Sequence, residues 1–319
     1  MSNASSCCSL AASCRPRYGC RACGTIHQVP APERPIAKGL ATPGLLAHVL
    51  VAKYCDHLPL YRQSQIFARQ SVEIDRSTLA NWVGGACWWL EPLQARLAEH
   101  VFASQKLFAD DTPIPVLDPG RGRTKTGRLW VYVRDDRPWS GADPPAAVYL
   151  YSPDRRAERP ASHLTNFKGV VQVDGYPGFE RVRQSKSLPL VTAMKAWLET
   201  QLTLIPPRSG LADAIRYALT RWSALCSFLD DGRIELDTNT VERAIRPVAL
   251  GRKNHLFAGS DGGGARWATV CSLVTTAKLS EVEPFAYLKD VLERMSSGHP
   301  MSRLDDLLPW NWQPKTLKS

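Results

Sequence analysis

The stretch LFADDTPIPVL at 107–117 sets two adjacent carboxylates, Asp110 and Asp111, inside an apolar run. Its length and its content of β-formers predict a strand. A carboxylate taken out of water without a partner is costly. Either the strand ends at these residues, or positive charge stands against them. Any fold proposed for this chain of 319 residues has to resolve that conflict.

The flanking sequence narrows the choice. Residues 44–104 carry apolar residues at helical spacing, in GLLAHVLVAKYCDHL, LYRQSQIFARQ and EIDRSTLANWVGGACWWLEPLQARLAEHVFAS. The last of these opens with Asp75 or Ser77 as a helix cap. A short helix, a tight connection and a helix opening at DRSTLANWV predict a helix-turn-helix. In that geometry Arg76, Ser77, Thr78 and Asn81 would reach base edges. An ordinary helical bundle is the alternative.

Residues 105–175 change period. LFADDTPIPVL, LWVYVRDD and AAVYLYS have the composition of strands, with DPGRGRTKTGR as a basic, Gly-rich connection between the first two. A short helix is expected over 158–167 and a fourth strand over 169–179. Three antiparallel strands followed by a crossover to a further strand are the opening of a ribonuclease-H-like fold. The expected class is therefore α/β: a mixed sheet with helices on its faces, preceded by a helix-turn-helix region. Helices return over 186–230, residues 231–268 are expected to be irregular, and two more helices precede a tail holding Trp310 and Trp312. The expected divisions are a Cys-rich segment (1–43), a helical DNA-binding region (44–104), a catalytic core (105–285) and a C-terminal helix and tail (286–319).

In this topology the first and fourth strands are neighbours, so Asp110 and Asp174 can converge. Two close carboxylates repel unless a cation lies between them, and Mg²⁺ or Mn²⁺ suits oxygen ligands. A third acid would complete a two-metal site for phosphodiester chemistry. TNTVERAIRP at 238–247 offers Glu242 on a short helix capped by Thr238 or Asn239 and ended by Pro247. Arg246, Arg252 and Lys253 follow and suit phosphates. The plainer alternative makes Asp110 a strand end, Asp174 a turn residue and Glu242 a solvated helix acid.

Charge and cysteines add to this. The net charge of +10 and a pI near 9.3 favour a polyanion, nucleic acid above all, over an acidic partner. No run of about 18 apolar residues exists, so no membrane span is expected. The N-terminus lacks the pattern of a signal peptide, which points to a cytoplasmic, nucleoid-associated chain. Five cysteines fall in the first 23 residues: Cys7, Cys8, Cys14, Cys20 and Cys23. In a reducing compartment they suggest metal rather than disulfides. Cys20 and Cys23 form a C-x-x-C pair that supplies two of the four ligands Zn²⁺ needs, with Cys14 and Cys7 or Cys8 to complete it. Cys55, Cys87, Cys226 and Cys271 are expected to be core thiols.

From about Pro16 to Trp312 the chain resembles transposases of the insertion sequence 66 family. The likeness rests on RPRYGCRACG, LLAHVLVAKYCDHLPLYRQSQIFARQ, DRSTLANWVG, FADDTPIPVLDPGRGRTKTGRLWVYVRDDRPW, VQVDGYPGF, FLDDGRIELDTNTVERAIRPVALGRKNHLFAGSDGGGARWA and LLPWNW. The resemblance implies a DDE enzyme of an insertion sequence, acting on the element's terminal inverted repeats and on target DNA. It also implies oligomerisation on DNA, with accessory proteins as further possible partners. The family's D-E-T element falls on Asp110, with Asp111 in place of its Glu; the second Asp falls on Asp174, and the Glu of N-x-x-E-R on Glu242. Two departures stand out. Only the second of the family's two N-terminal C-x-x-C pairs is present, and the start reads as truncated or frame-shifted. The W-A-H-x-R-R segment expected after Asp174 is missing, which reads as an internal deletion. Two functions follow: an active transposase, or a DNA-binding remnant whose catalytic centre the deletion impairs.

Overall fold

The computed structural model describes residues 16–28, 34–36, 39–118, 120, 122–172, 188–229, 234, 239–255 and 257–314. A small hairpin comes first, β1 (Arg17–Gly19) and β2 (Ile26–Gln28). Helices α1 (Pro43–Tyr54), α2 (Leu60–Arg69) and α3 (Arg76–Phe102) follow. Thr42 caps α1, accepting from the Leu45 N–H at 3.2 Å, and Asp75 caps α3, accepting from the Ser77 N–H at 2.7 Å. Ser64 Oγ donates to the Ile74 carbonyl at 2.6 Å and ties α2 to the entry of α3.

Next comes the main sheet, in the expected order of three strands, a helix and a strand: β3 (Lys106–Asp118), β4 (Arg123–Arg134), β5 (Ala146–Ser152), α4 (Glu158–His163) and β6 (Val170–Gln172). The spatial order is β5-β4-β3-β6. The first three strands are antiparallel, and β6 runs parallel to β3. The rest of the strand expected over 169–179 lies outside the described residues. The basic connection is shorter than the sequence predicts. Thr124–Arg128 pair with β3 from Leu117 back to Pro113, and between the strands Gly120 (φ 86°) and Gly122 (φ 62°) take the left-handed conformation.

Six α-helices follow among the described residues: α5 (Leu188–Leu204), α6 (Gly210–Thr220), α7 (Trp222–Cys226), α8 (Asn239–His255), α9 (Asp261–Leu279) and α10 (Pro284–Ser296). Two of them correct the sequence reading of 231–268 as irregular. Helix α8 does not stop at Pro247 but runs through it. A mid-helix proline costs about 3 kcal/mol. Tertiary anchors beyond it oppose that cost: Val248 is buried, Arg252 Nη1 donates to the Pro113 carbonyl at 2.6 Å, and Ala258 bonds both ways to β3, N–H to Pro115 O and O to Leu117 N, each at 2.8 Å. The glycines of DGGGARW lie within α9 rather than in a loop. Ser260 caps them, accepting from the Gly263 N–H at 3.1 Å. Gly264 sits where a Cβ would meet a Tyr151 ring carbon at 2.5 Å, so the close contact of helix and ring needs glycine.

A single hydrophobic core links these parts. It joins Leu46 of α1, Leu97 of α3, Val131 of β4, Val248 of α8, Leu273 of α9 and Leu288 of α10. The helices that precede the sheet therefore share its core. Cys87 and Cys271 are buried as expected, while Cys55 and Cys226 are half-buried. The tail docks: Trp312 Nε1 donates to Asp290 Oδ2 at 2.8 Å, and the Trp310 ring lies 4.3 Å from that of His100. Helices α5, α6 and α7 pack on one another, and their buried residues Leu198, Ala212 and Ile215 stand outside the main core. Among the described residues no helix is long and apolar enough to cross a membrane.

The outer edge of β5 is closed by side chains instead of another strand. Ser272 Oγ accepts from the Tyr149 N–H at 2.9 Å, Thr276 Oγ1 bonds both the N–H and the carbonyl of Ala147 at 3.1 Å, and Gln94 Nε2 donates to the Tyr149 carbonyl at 2.9 Å. Two helices thereby satisfy an edge that would otherwise invite another chain. Replacing Ser272 with Ala should leave the buried Tyr149 N–H unpaired and lower unfolding free energy by about 1–3 kcal/mol in urea denaturation. The exposed Trp88→Ala should stay within about 0.5 kcal/mol of the parent.

Candidate active site

Strand β3 does not end at its carboxylates. Asp110 pairs with Val131 and Asp111 with Trp130, and the ladder continues to Asp118. Neighbouring residues of a strand point to opposite faces, so the two carboxylates part company.

Asp111 meets positive charge. Arg128 Nη1 lies 2.9 Å from Asp111 Oδ2, and Arg155 Nη2 lies 2.9 Å from Oδ1, with its Nε at 3.1 Å from the same oxygen. Only 6% of the Asp111 side chain is exposed. Both its oxygens are engaged, so it is held as a structural counter-ion. Of the two alternatives the sequence left open, a strand end or positive charge, the second holds at Asp111. Arg128 could have been found from hairpin register, whereas Arg155 arrives from beyond β5.

Asp110 is on the other face and half-buried, with its Oδ1 accepting from the Asp111 N–H at 2.7 Å. Cross-strand partners share a face. Asp110 pairs with Val131 and Val131 with Tyr149, so these three form one row. Tyr149 Oη donates to the Ala244 carbonyl of α8 at 2.5 Å. Asp110 thus lies on the face that α8 covers, the helix that carries Glu242 in its first turn. Val241, Ala244 and Val248 form the buried side of α8, and Glu242 is exposed. Burial raises the Tyr149 phenol well above its ordinary pKa, which keeps it a donor.

Asp174 lies outside the described residues. The pairing that leads towards it is described: Lys106 with Val170, Leu107 with Val171 and Phe108 with Gln172. Among the described residues no group of three or more His, Cys, Asp or Glu side chains is close enough to hold an ion.

The other predicted residues scatter over the surface. Arg76, Ser77 and Asn81 are exposed at the start of α3, with Thr78 half-buried. Arg246 and Lys253 are exposed on α8, while Arg252 is half-buried and spends one nitrogen on Pro113. Cys20 and Cys23 are exposed and sit in the turn between β1 and β2, which is closed by Cys20 N–H to Thr25 O and Gly24 N–H to Cys20 O at 2.9 Å each. The Cys23 thiol is drawn down to about 7, first by its hydrogen bond with the Thr25 hydroxyl at 2.9 Å and then by the Thr25 backbone. Cys7, Cys8 and Cys14, the expected completing ligands, lie outside the described residues.

Comparison with known proteins puts this arrangement in context. A family model described as Transposase IS66 family matches residues 38–184 and 180–266, and one described as IS66 C-terminal element matches residues 272–310. The chain belongs to the IS66 transposase family. Within it, three uncharacterized proteins of Sinorhizobium fredii are similar. Protein y4jD is 39% identical over 366 residues, covering 94% of this chain and 72% of the relative. Protein y4qI is 37% identical over 369 residues, covering 95% and 68%, and y4hP is 36% identical over 374 residues, covering 94% and 67%. No solved structure matches the chain. Each alignment is longer than the 319 residues of this IS66-family chain, so its relatives carry positions with no counterpart here.

The arginines around Asp111 yield a stability prediction. Asp111→Leu should strand the largely buried Arg128 guanidinium and cost about 3 kcal/mol in chemical denaturation. Arg155→Ala removes the more exposed partner and should cost less than about 1 kcal/mol.

Proposed function

We propose that this chain is a DNA transposase that cleaves and joins phosphodiesters with a DDE triad of Asp110, Asp174 and Glu242 on a ribonuclease-H-like core. The observation that carries this reading is the β3–β6 register. Each residue of β6 pairs with the residue 64 positions earlier, and 64 is also the separation of Asp174 from Asp110. The same register continued for two residues would set the two aspartates side by side on the face beneath α8. The strand order, with β6 parallel to the first strand, supports the ribonuclease-H-like class.

The donor set suits a hard divalent cation, because the half-buried Asp110 carboxylate stands on the face covered by the helix of Glu242. Asp110, Asp174 and Glu242 would hold Mg²⁺ or Mn²⁺, which supplies water activation and charge neutralisation at the phosphate. The chain's own groups do the positioning. Tyr149 and Arg252 fix α8 to the sheet and hold Glu242 in register with β3. The exposed Arg246 and Lys253 would take DNA phosphates. Arg76, Ser77, Thr78 and Asn81, at the exposed start of α3, would read the terminal inverted repeats, with α2 and α3 acting as the helix-turn-helix. Water attacks at the element's end, and the freed 3′ hydroxyl then attacks target DNA. Joining two ends suits a homo-oligomer, and accessory proteins are compatible with that assembly. Cys20 and Cys23 would supply half of a Zn²⁺ site. A cytoplasmic, nucleoid-associated location follows from this reading.

A second reading, a DNA-binding remnant, is favoured by one observation. The family match breaks into two stretches that meet at 180–184, shortly after Asp174, and the relatives carry additional positions. Helices α5 to α7, which follow that break, expose Met194, Trp197, Leu204 and Tyr217. A lost segment that covered them would loosen the alignment of Glu242 with the aspartates, and a small misplacement can cost about 10²-fold in rate.

Cleavage of labelled element-end DNA in Mg²⁺ or Mn²⁺ separates the two. The transposase reading expects cutting by the parent, and a loss of at least about 100-fold in Asp110→Asn, Asp174→Asn and Glu242→Gln with DNA binding retained. A gel shift without cutting by the parent would leave the remnant. Arg76→Ala and Asn81→Ala should weaken end binding by about 1–3 kcal/mol each under either reading.

A further inference from the structure

The face of the sheet that carries Asp110 has a second feature that the triad does not use. Between the end of α1, the end of β4, the N-terminal half of α8 and the C-terminal half of α9 lies a cavity of about 180 Å³. Its floor is apolar, built from Tyr54, Val133, Ala244, Pro247, Val274 and Leu279. Its polar lining is cationic, with Arg137, Arg243 and Lys278 against the single carboxylate of Asp135. That carboxylate already holds Arg137, at 2.7 Å from Nη2. Arg243 and Lys278 make no ion pair among the described residues. The hydroxyl residues Thr240 and Thr275 also line the space.

Two demands meet in this cavity. An apolar space of about 150 Å³ is enough for benzene, so the floor accepts one flat ring. Two unpaired cations at the wall call for an anion, and a phosphate satisfies both at once. A neutral ring would leave the cations unused, and a bare phosphate would leave the floor unfilled. We propose that this cavity binds a phosphorylated pyrimidine unit, with phosphate against Arg243 and Lys278 and the ring on the floor beside Val274. Arg243 directly follows Glu242, so the cavity adjoins the turn of α8 that carries the third acid. The unit is either a nucleotide of a DNA strand drawn out of its stack or a free nucleotide; the first source rests on the transposase reading, and the second does not.

The test is calorimetric titration of the full chain with dTMP, thymidine, inorganic phosphate and dGMP. The proposal expects dTMP to bind at least about 10-fold more tightly than the other three: thymidine lacks the charged hydrogen bonds, inorganic phosphate lacks the ring that covers the floor, and the two-ring base of dGMP exceeds a space for one ring. Arg243→Gln, at an exposed position, should weaken dTMP about 10-fold, and Val274→Phe, which fills the floor, should abolish the preference for dTMP over phosphate. Circular dichroism and thermal unfolding of both variants establish that they are folded, and Arg243→Gln decides alone if Val274→Phe is not. Equal affinity for dTMP and phosphate, or dTMP binding indifferent to Arg243→Gln, overturns the proposal. Displacement of dTMP by single-stranded oligo(dT) places the unit in a strand, and retention of dTMP against it identifies a free nucleotide; either supports the site. DNA cutting without dTMP binding removes this inference and leaves the transposase reading standing. Binding of dTMP without cutting does the reverse.

Discussion

The two-residue period of strand β3 sends its adjacent carboxylates to opposite faces of the sheet, and each face answers differently. On one face Asp111 is neutralised by Arg128 and Arg155. On the other, Asp110 looks towards α8, whose first turn carries the exposed Glu242. Had the strand slipped by one residue, the two carboxylates would have exchanged faces. The eleven cross-strand pairs from Phe108 to Asp118 oppose that slip.

Tyr149 is the point at which the layers are tied together. Its N–H goes to Ser272 of α9, its carbonyl takes Gln94 of α3, and its hydroxyl reaches the Ala244 carbonyl of α8 and Thr275 of α9. One buried residue thus connects three helices to the row of the sheet that contains Asp110, through its backbone to α3 and α9 and through its hydroxyl to α8 and α9. Buried polar groups that are fully satisfied confer rigidity. The face beneath α8 is accordingly tied to the main core, whereas the buried residues of α5 and α6 stand apart from it.

That contrast bears on how the chain departs from its relatives. The family match breaks next to the element order's least integrated part, where α5, α6 and α7 bury mainly small patches against one another. The strands, α8 and α9 form their anchors independently of those helices: Arg252 to Pro113, Ala258 to β3, and the α9 hydroxyls to β5. A change of length between Asp174 and α8 can therefore leave the sheet and its covering helix packed.

The sequence by itself determined the α/β class, the order of three strands, a helix and a strand, a helix cap at Asp75 or Ser77, and that at Asp110 and Asp111 either the strand ends or positive charge stands against them. These are local matters of period, propensity and charge, and they can be read within a dozen residues. It also carried the family likeness, because motif spacing survives without coordinates. It did not show that the glycines of DGGGARW are helical, that α8 passes through Pro247, or that DPGRGRTKTGR is mostly strand. In each case a contact distant in sequence overrides a local preference: Tyr151 against Gly264, Arg252 against Pro113, and the β3 ladder against Thr124–Arg128. Only the tertiary structure decided which of two adjacent aspartates is neutralised and which faces α8. That outcome depends on strand register and on an arginine 44 residues away from Asp111, and no local rule contains either.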